Sequence, residues 1–437
     1  MLDISREELM EIVVSKVFSE NDITRFRGCV ARSISGMAEK KREKVFKGLS
    51  SQTLETILHG EINEEEINEE LIRRQAEFYA DQIAWNPSRA LTALGKIFVS
   101  AYFHSMFSGG STLGLEKVQQ HKDKTLVYMV RHLSHLDYMF LGWKLGTNGM
   151  DIPSFAAGLN LFANPIISRT LKGWNAYTVD RGNTRDILYL KVLAEYAKTA
   201  LEKGIHMAIF PEGTRSRSGK VLVPKRGLID SVIAAQQNGA DIYVVPVAIS
   251  YDFVPEAPFF ALDTAKSMQN GIMARFGNLR DFFTPGNNLL VSFGSPYSLG
   301  DYLSEQKSTN QRDLSKNVAK HFIEGIKEAV AVNPSALVAA AIGNILGLSR
   351  NIYPGFTVSE SWLYDEAARL IDHFNNVGVR MDPRLENNLL LVIEEGLRPF
   401  VKQKFIRPSN EGGAEKQYCV VEPKIIIYYA NTIRHHT

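Results

Sequence analysis

The sequence predicts an α/β fold in which a mixed, largely parallel sheet is flanked by helices, with helical regions before and after it. Three observations lead to this prediction. From about residue 120 to 300, short apolar runs alternate with amphipathic stretches, which is typical of parallel strands joined by helical crossovers. Residues 1–85 are rich in Glu, Lys, Arg and Leu and show no strand-like alternation. Beyond about residue 312 the apolar spacing becomes helical again.

These changes in pattern predict three parts of the chain. Residues 1–85 form a helical N-terminal region, whose acidic run GEINEEEINEEL is interpreted as a solvated helix face. Residues 86–300 form the α/β domain. Residues 301–437 form a C-terminal helical extension that ends in a strand-like segment, the apolar run KIIIYYA (424–430).

Five apolar runs predict the strands of the α/β domain. They are TLVYMV (125–130), AYTV (176–179), HMAIF (206–210), IYVVPVAIS (242–250) and LLVSF (289–293). Helices are expected between them, because amphipathic stretches end near Gly146, at Gly204 and at Gly239, and glycine commonly follows the last helical residue. Ligands of such sheets bind beyond the carboxyl ends of the strands, so the residues that follow each run are the candidates for function.

Charge and cysteine content exclude several kinds of protein. The chain has 50 Lys and Arg against 48 Asp and Glu, a net charge of +2, which argues against nucleic acid as the main partner. Cys29 and Cys419 are the only cysteines, too few for a disulfide framework or a cysteine metal site, and they fit a reducing cytoplasm.

The N-terminus has no signal-peptide pattern, and no stretch reaches the ~18 apolar residues of a spanning helix.

A histidine and an aspartate follow the first predicted strand. His132 and Asp137 are five residues apart, a spacing that would separate them by roughly 140° on a continuous helix. They can meet only if His132 lies in the turn and Asp137 in the first helical turn, and Ser134 is a suitable N-cap between them. A carboxylate that orients an imidazole is what a general base requires.

Other interpretations of this segment remain open. Ser134 and Asp137 resemble a capping box, so the aspartate could be purely structural. His132 and His135 could bind a metal ion, although no further ligands are nearby in the sequence. Ser134 could be a hydrolase nucleophile, although it lacks a Gly-x-Ser-x-Gly turn.

A cationic loop follows the predicted strand HMAIF. Between Gly213 and Gly227 the loop carries five basic residues and no acidic one: Arg215, Arg217, Lys220, Lys225 and Arg226. Guanidinium groups suit the geometry of a phosphate, so these cations indicate a phosphate site, and a solvated basic loop is the alternative interpretation. A nucleotide P-loop is excluded because the glycine spacing is one residue too long and Val221 replaces the required Ser or Thr. Glu212 is expected to brace the loop through hydrogen bonds.

These segments together resemble the glycerolipid acyltransferase superfamily. His132-Leu-Ser-His-Leu-Asp137 resembles its H-x4-D motif, and Phe210-Pro-Glu-Gly-Thr-Arg-Ser resembles its F-x-E-G-x-R-S motif. Val245-Pro-Val-Ala-Ile-Ser-Tyr-Asp252 is similar to its fourth motif. The Pro224-Lys225 pair and the ending YYANTIRHH resemble the branch that acts on glycerol 3-phosphate or dihydroxyacetone phosphate. The second motif departs from the family, since Asp180 precedes Arg181 where two basic residues are usual.

The resemblance implies an acyltransferase that moves an acyl group from a thioester to the sn-1 hydroxyl of glycerol 3-phosphate, giving lysophosphatidate. In this interpretation His132 is the general base and Asp137 orients it. The acceptor's phosphate contacts basic residues of the motifs and the loop. Glu212 and Gly213 support this loop. Backbone amides near Gly213 are the expected donors to the oxyanion. The implied phosphate ligands are Arg181, Arg215, Arg217, Lys220 and Lys225. The co-substrate is acyl-CoA or acyl carrier protein, and neither a metal nor another cofactor is expected because the thioester is already activated.

Two other acceptors stay open, dihydroxyacetone phosphate and 1-acyl-glycerol-3-phosphate. A different function, that of a non-catalytic lipid-binding protein, is also possible, but such a protein would be expected to lose the His or the Asp. Because the product is amphiphilic, we expect a cytoplasmic protein at the inner face of a membrane. Residues 90–107 could form an interfacial helix, with an apolar face at helical spacing, and an ordinary core helix fits the same pattern. The residues of that face are Leu91, Leu94, Phe98, Tyr102 and Met106.

Overall fold

The computed structural model describes residues 4–261, apart from 51–53, 56, 59–61 and 108, and then residues 287–306, 310–345, 354–409 and 415–437. An eight-stranded sheet lies at its centre. Its strands are β1 (Gly109–Leu113), β2 (Thr125–Val130), β3 (Ser154–Gly158), β4 (Ala176–Val179), β5 (Met207–Ile209), β6 (Ile242–Tyr251), β7 (Asn288–Phe293) and β8 (Tyr297–Ser298).

The strand order confirms the mixed, largely parallel sheet. The strands run β1-β7-β6-β2-β5-β3-β4, and β8 pairs with β6. Strands β2 to β5 form parallel ladders with one another, and β2 is also parallel to β6. Only the pairs that β6 makes with β7 and β8 are antiparallel in this sheet. The carboxyl ends of β2, β5 and β6 therefore lie side by side at one edge.

Helices surround the sheet and fill both terminal regions. The described α-helices are α1 (Arg6–Ser19), α2 (Arg27–Ser35), α3 (Glu39–Val45), α4 (Glu69–Ile83), α5 (Arg89–Met106), α6 (Leu115–Gln119), α7 (Asp137–Thr147), α8 (Pro165–Gly173), α9 (Ile187–Glu202), α10 (Gly227–Gln237), α11 (Ala257–Ala261), α12 (Leu299–Glu305), α13 (Gln311–Ala329), α14 (Pro334–Ile345), α15 (Glu360–Val377), α16 (Leu389–Lys402) and α17 (Pro423–Ile433).

All five strands predicted in the α/β domain are confirmed, and so are the helices between them. The strands β2 and β4 have the predicted bounds. Strands β1 and β3 were not predicted from the apolar pattern. Their sequences, GGSTL and SFAAG, contain small residues instead of a long apolar run, so the hydrophobic signal is too weak to identify them.

Each face of the sheet is covered by a separate hydrophobic core. Along β2, Leu126, Tyr128 and Val130 belong to one core, while Val127 and Met129 belong to the other, as the alternation of a strand requires. The first core includes α7 and the C-terminal helices, and the second includes the N-terminal helices, α9, α10 and α13. The terminal regions thus bury their apolar surface against the sheet, and the predicted boundaries at 85 and 300 stay a prediction.

The prediction of a strand at KIIIYYA was wrong. These residues lie in helix α17, which begins at Pro423, a residue well suited to the first turn of a helix. Helix α17 packs on α14 and is almost entirely buried. A fully buried helix is apolar on all sides, so its sequence cannot be distinguished from a buried strand by periodicity.

A small antiparallel sheet in the C-terminal region was not predicted. It consists of β9 (Phe356–Ser359), β10 (Ile406–Ser409) and β11 (Gln417–Val420) in the order β10-β11-β9. Each strand has four residues, which is too short for an alternating pattern to be recognised.

A buried ion pair attaches the C-terminal region to the main sheet. Arg384 donates from Nη1 and Nη2 to the two carboxylate oxygens of Asp252, at 2.8 and 2.9 Å. Burial raises the pKa of Asp252, and the neighbouring guanidinium opposes that rise. Because a fork-to-fork pair also sets geometry, it fixes the residues after β6 relative to the C-terminal helices.

Helix α5 contains the segment for which the sequence leaves both an interfacial helix and an ordinary core helix open. Leu94 and Ile97 are 63% and 69% exposed, and Ile166 on the neighbouring α8 is 78% exposed. The side chains of Phe98, Tyr102 and Met106 lie outside the described residues. In the part of the chain that the structure describes, no helix combines the length and apolar character needed to cross a bilayer.

The contact between α14 and α16 yields a stability prediction. A Cβ at Gly396 would lie 2.4 Å from the carbonyl oxygen of Pro334. We expect Gly396→Ala to lower the free energy of unfolding by about 1–3 kcal/mol, because the two backbones would have to separate. Thermal denaturation measures the change. Gly227→Ala is the matched control, since a Cβ there meets no atom within 4 Å, and equal melting temperatures for both variants would contradict the close approach.

Candidate active site

The parallel pairing of β2 with β5 brings two motifs together. Met129 lies opposite Ile209 in the ladder, so the residues three positions further on, His132 and Glu212, leave the sheet as neighbours. The backbone amide of His132 donates to Glu212 Oε2 at 2.9 Å, and the amide of Leu222 donates to Glu212 Oε1 at 2.7 Å. Glu212 thus connects the turn after β2 with both halves of the loop after β5.

His132 and Asp137 are in contact. Nδ1 of His132 lies 2.9 Å from Oδ2 of Asp137, with His132 in the turn and Asp137 as the first residue of α7. The imidazole is 14% exposed and packs against the ring of Phe210, while the carboxylate is buried. A carboxylate at Nδ1 accepts a hydrogen bond from an N–H there, an arrangement that favours the tautomer with its lone pair on Nε2. Among the described residues, no hydrogen-bond partner occupies Nε2.

Asp137 also binds the backbone of the turn. Its Oδ2 accepts hydrogen bonds from the amides of Leu133 and Ser134 at 2.8 and 2.9 Å. The prediction that Ser134 is the N-cap was wrong, since the helix begins at Asp137 and its N-cap is Leu136. The Ser134 hydroxyl is engaged elsewhere because it donates to Glu256. The carboxylate of Asp137 therefore shapes the turn in addition to contacting His132.

Tyr251, at the end of β6, completes the environment of the carboxylate. Its hydroxyl donates to Oδ1 of Asp137 at 2.6 Å. Burial, together with the charge of Asp137, raises the pKa of Tyr251 well above its usual value, so the hydroxyl remains a donor. Sequence reasoning missed this role, although Tyr251 lies beyond the carboxyl end of a predicted strand next to β2 and could have been found by the rule that selected the other residues.

The cations of the loop differ in their surroundings. Arg215 is 13% exposed; its Nη1 donates to Glu256 Oε1 at 3.1 Å, and its guanidinium lies over the ring of Phe260. Burial lowers the pKa of Arg215, and the charge of Glu256 opposes this. Arg217, Lys220 and Lys225 are exposed. The loop therefore has one enclosed cation and several at its surface.

Gly213 occupies the tight part of this loop. It has a φ of +66°, and its amide donates to the carbonyl of Phe210 at 2.9 Å. That amide is consequently engaged within the turn and is not available to a ligand. The next two residues after Gly213 are Thr214 and Arg215. In the described part of the chain, their backbone amides have no acceptor.

The C-terminal helix α17 holds the far side of the loop. Arg131, whose side chain is fully buried, donates to the carbonyls of Thr432 and Gly219. Asn431 donates to the carbonyl of Ser218 at 2.9 Å. Gly219 has a φ of +80°, and a Cβ there would lie 2.0 Å from the carbonyl oxygen of Tyr428. The ending YYANTIRHH thus contacts the cationic loop directly.

Arg181 lies at the same edge of the sheet but further away. It follows β4, which is three strands from β2, and the spacing of neighbouring strands puts it about 14 Å along the edge from His132. Its side chain is exposed. The preceding Asp180 accepts from the amide of Gly182, closing a local turn. The loop that carries the other predicted phosphate ligands follows β5, which is two strands from β4 in the same sheet.

An apolar slot lies between α5 and α7, and Tyr138 is part of its lining. Tyr138, next to Asp137 in sequence, stacks on Phe155 of β3 with ring centroids 4.5 Å apart. From there the slot runs between α5 and α7 towards the amino edge of the sheet. Its lining includes Val99, Met139, Trp143, Ile152 and Trp174.

Two known families match this chain in adjacent regions. The acyltransferase family matches residues 112–250, which contain β2, β5, all but the last residue of β6 and the His132–Asp137 pair. The glycerol-3-phosphate acyltransferase C-terminal region matches residues 287–437, which contain the small sheet and α17.

Curated relatives agree with these matches. A glycerol-3-phosphate acyltransferase of Shewanella woodyi is 28% identical over 330 residues, covering 71% of this chain and 41% of the relative. One of Shewanella oneidensis is 31% identical over 282 residues, covering 62% of this chain and 34% of the relative. The chain thus matches less than half the length of these relatives.

A solved structure is also similar, the 1-acyl-sn-glycerophosphate (LPA) acyltransferase of Thermotoga maritima. It is 18% identical and covers 74% of this chain and 97% of its own, with a TM-score of 0.34. The chain is thus similar to the acyltransferase family over residues 112–250 and to the glycerol-3-phosphate acyltransferase C-terminal region over residues 287–437, and curated proteins with the name glycerol-3-phosphate acyltransferase match 71% of it.

Proposed function

We propose that this protein transfers an acyl group from a thioester to the sn-1 hydroxyl of glycerol 3-phosphate, forming lysophosphatidate. The observation that carries the proposal is the contact of His132 Nδ1 with the buried carboxylate of Asp137, beside a loop rich in cations. A base with a lone pair on Nε2 and an anion site nearby suit an acceptor that has a hydroxyl and a phosphate on one small molecule.

In the proposed reaction, Nε2 of His132 removes the proton of the acceptor's primary hydroxyl as its oxygen attacks the thioester carbonyl. The C–O bond forms, the tetrahedral intermediate collapses, and the C–S bond breaks to release the thiol, which regains a proton from the imidazolium. Asp137 stabilises the imidazolium between these steps. A general base of this kind contributes on the order of 10²–10⁴-fold to the rate. The free amides of Thr214 and Arg215 are the proposed donors to the oxyanion.

The acceptor's phosphate is proposed to bind the cationic loop. Arg215 supplies an enclosed guanidinium, and Arg217, Lys220 and Lys225 add positive charge at the surface. Arg181, which follows β4 two strands from this loop, remains a proposed contact of the acceptor's phosphate. Because phosphate binding positions the hydroxyl at His132, the loop contributes to the rate as well as to affinity.

The acyl chain of the donor is proposed to enter the slot that begins at Tyr138. Its aromatic and aliphatic lining suits a hydrocarbon chain, although Thr92, Lys96 and Asn175 also line it, and Tyr138 in this lining is the sequence neighbour of Asp137. Acyl-CoA and acyl carrier protein both deliver such a chain as a thioester, and both remain candidates for the donor. The activated thioester supplies the driving force, so the proposal includes no metal or other cofactor.

A membrane surface is the proposed site of action, at the cytoplasmic face. Leu94, Ile97 and Ile166 present exposed apolar side chains on α5 and α8. The exposed basic residues Lys96 and Arg169 lie beside them. Apolar side chains next to basic ones suit insertion between anionic lipid head groups.

The role of His132 gives the first functional prediction. His132→Ala should lower kcat for acyl transfer by 10²–10⁴-fold, on the order expected for loss of a general base, while the melting temperature changes little. A thiol-release assay with glycerol 3-phosphate and an acyl thioester measures this. His121→Ala is the control, because His121 precedes β2 at the opposite edge of the sheet. Near-normal turnover by a folded His132→Ala variant would show that His132 is not the general base.

Removing the enclosed guanidinium tests the phosphate site. Arg215→Ala should raise the KM for glycerol 3-phosphate by roughly tenfold or more, as expected for a charge-assisted contact to phosphate. The KM for the thioester should stay the same. Arg369→Ala, which removes an exposed arginine on α15, is the matched control. If the KM for glycerol 3-phosphate is unchanged in Arg215→Ala, Arg215 does not bind the phosphate.

Flotation with liposomes tests the membrane surface. The purified protein should float with vesicles that contain anionic lipid, and the double variant Leu94→Gln/Ile97→Gln should float less, because it loses exposed apolar surface. Leu190→Gln, an exposed leucine on α9 at the other face of the sheet, should float like the unaltered protein. If the unaltered protein stays at the bottom of the gradient, the surface proposal fails.

A further inference from the structure

Glu256 contacts both halves of the site and has no role in the reaction as written. It lies directly before α11, in the segment that follows β6. Its Oε2 accepts from the hydroxyl of Ser134 at 2.9 Å, and its Oε1 accepts from the amide of His135 at 2.8 Å. The same Oε1 accepts from Nη1 of Arg215 at 3.1 Å. One carboxylate therefore joins the turn that carries His132 to the cationic loop.

The contact with Arg215 has an electrostatic consequence. Glu256 is 16% exposed and Arg215 is 13% exposed, so the pair is only weakly screened by water. The guanidinium that is best placed to hold a phosphate is already neutralised by a neighbouring negative charge. A phosphate that approaches Arg215 also approaches the carboxylate of Glu256, and like charges repel each other.

We propose that Glu256 is a positioning residue that orients Arg215 and limits how tightly the site holds the phosphate of its acceptor. The inference rests on the proposed function. Glycerol 3-phosphate and lysophosphatidate carry the same phosphate, so a tighter hold on it would also slow release of the product. Affinity that is equal in the ground state and the transition state lowers KM without raising kcat. A counter-charge beside Arg215 keeps that affinity moderate while its hydrogen bonds keep the geometry.

The substitution Glu256→Gln separates charge from geometry. The amide oxygen can accept from His135 and Arg215 in place of Oε1, and the amide nitrogen can donate to the Ser134 hydroxyl in place of Oε2. All three contacts are kept and the negative charge is removed. We expect the KM for glycerol 3-phosphate to fall on the order of fivefold, from the loss of repulsion between like charges. The inhibition constant for inorganic phosphate should fall by a similar factor, and the KM for the thioester should not change.

Two further variants make the result specific. Glu256→Asp keeps the charge but shortens the side chain, so its KM for the acceptor should not fall. Glu324→Gln removes the same charge from a half-exposed position on α13, where Glu324 pairs with Lys327, and should leave both constants unchanged.

The outcomes distinguish the inference from the proposed function. If Glu256→Gln is folded and active but its acceptor KM and its phosphate inhibition constant are unchanged or higher, Glu256 has only a structural role and the inference is overturned. If the unaltered protein neither acylates glycerol 3-phosphate nor is inhibited by phosphate, the proposed function itself fails, whatever the variants show.

Discussion

The arrangement of the site depends on one buried carboxylate, that of Asp137. It accepts hydrogen bonds from the imidazole of His132, from two amides of the turn and from the hydroxyl of Tyr251. A carboxylate out of contact with water is costly unless its lone pairs are satisfied, and here four donors satisfy them. Because these donors come from the turn after β2 and from the end of β6, the carboxylate fixes the imidazole and the backbone around it together. A structural role and a chemical role for Asp137 are therefore compatible.

The parallel sheet supplies the second constraint. It aligns the carboxyl ends of β2, β5 and β6, so that segments far apart in sequence meet at one edge. Two further carboxylates join these segments: Glu212 links the β2 turn to the loop after β5, and Glu256 links both to the segment after β6. The C-terminal helix then holds the loop from outside through Arg131 and Asn431. This explains in physical terms why the residues at the end of the chain accompany the acyltransferase motifs.

Much of this architecture could be predicted from the sequence, because long apolar runs and glycine stops are local signals. The contact between His132 and Asp137 could be expected as well, since two residues at this spacing can meet only if a turn precedes the helix. The helix at KIIIYYA could not, because complete burial removes the periodicity that distinguishes a helix from a strand. The contacts of Arg215 could not be predicted from the sequence either. Its pairing with Glu256 depends on which strands are neighbours, and the sequence alone does not state the strand order.

The most direct test of the central claim is the protonation of the His132 ring, read by ¹⁵N NMR of protein labelled at histidine. The His132 signals are assigned by their loss in His132→Ala. At a pH where the ring is neutral, we expect Nδ1 to carry the proton, held by Asp137, and Nε2 to carry the lone pair. A ring protonated at Nε2 would rule out His132 as the base in this arrangement, because the nitrogen proposed to face the acceptor would then be unable to take its proton.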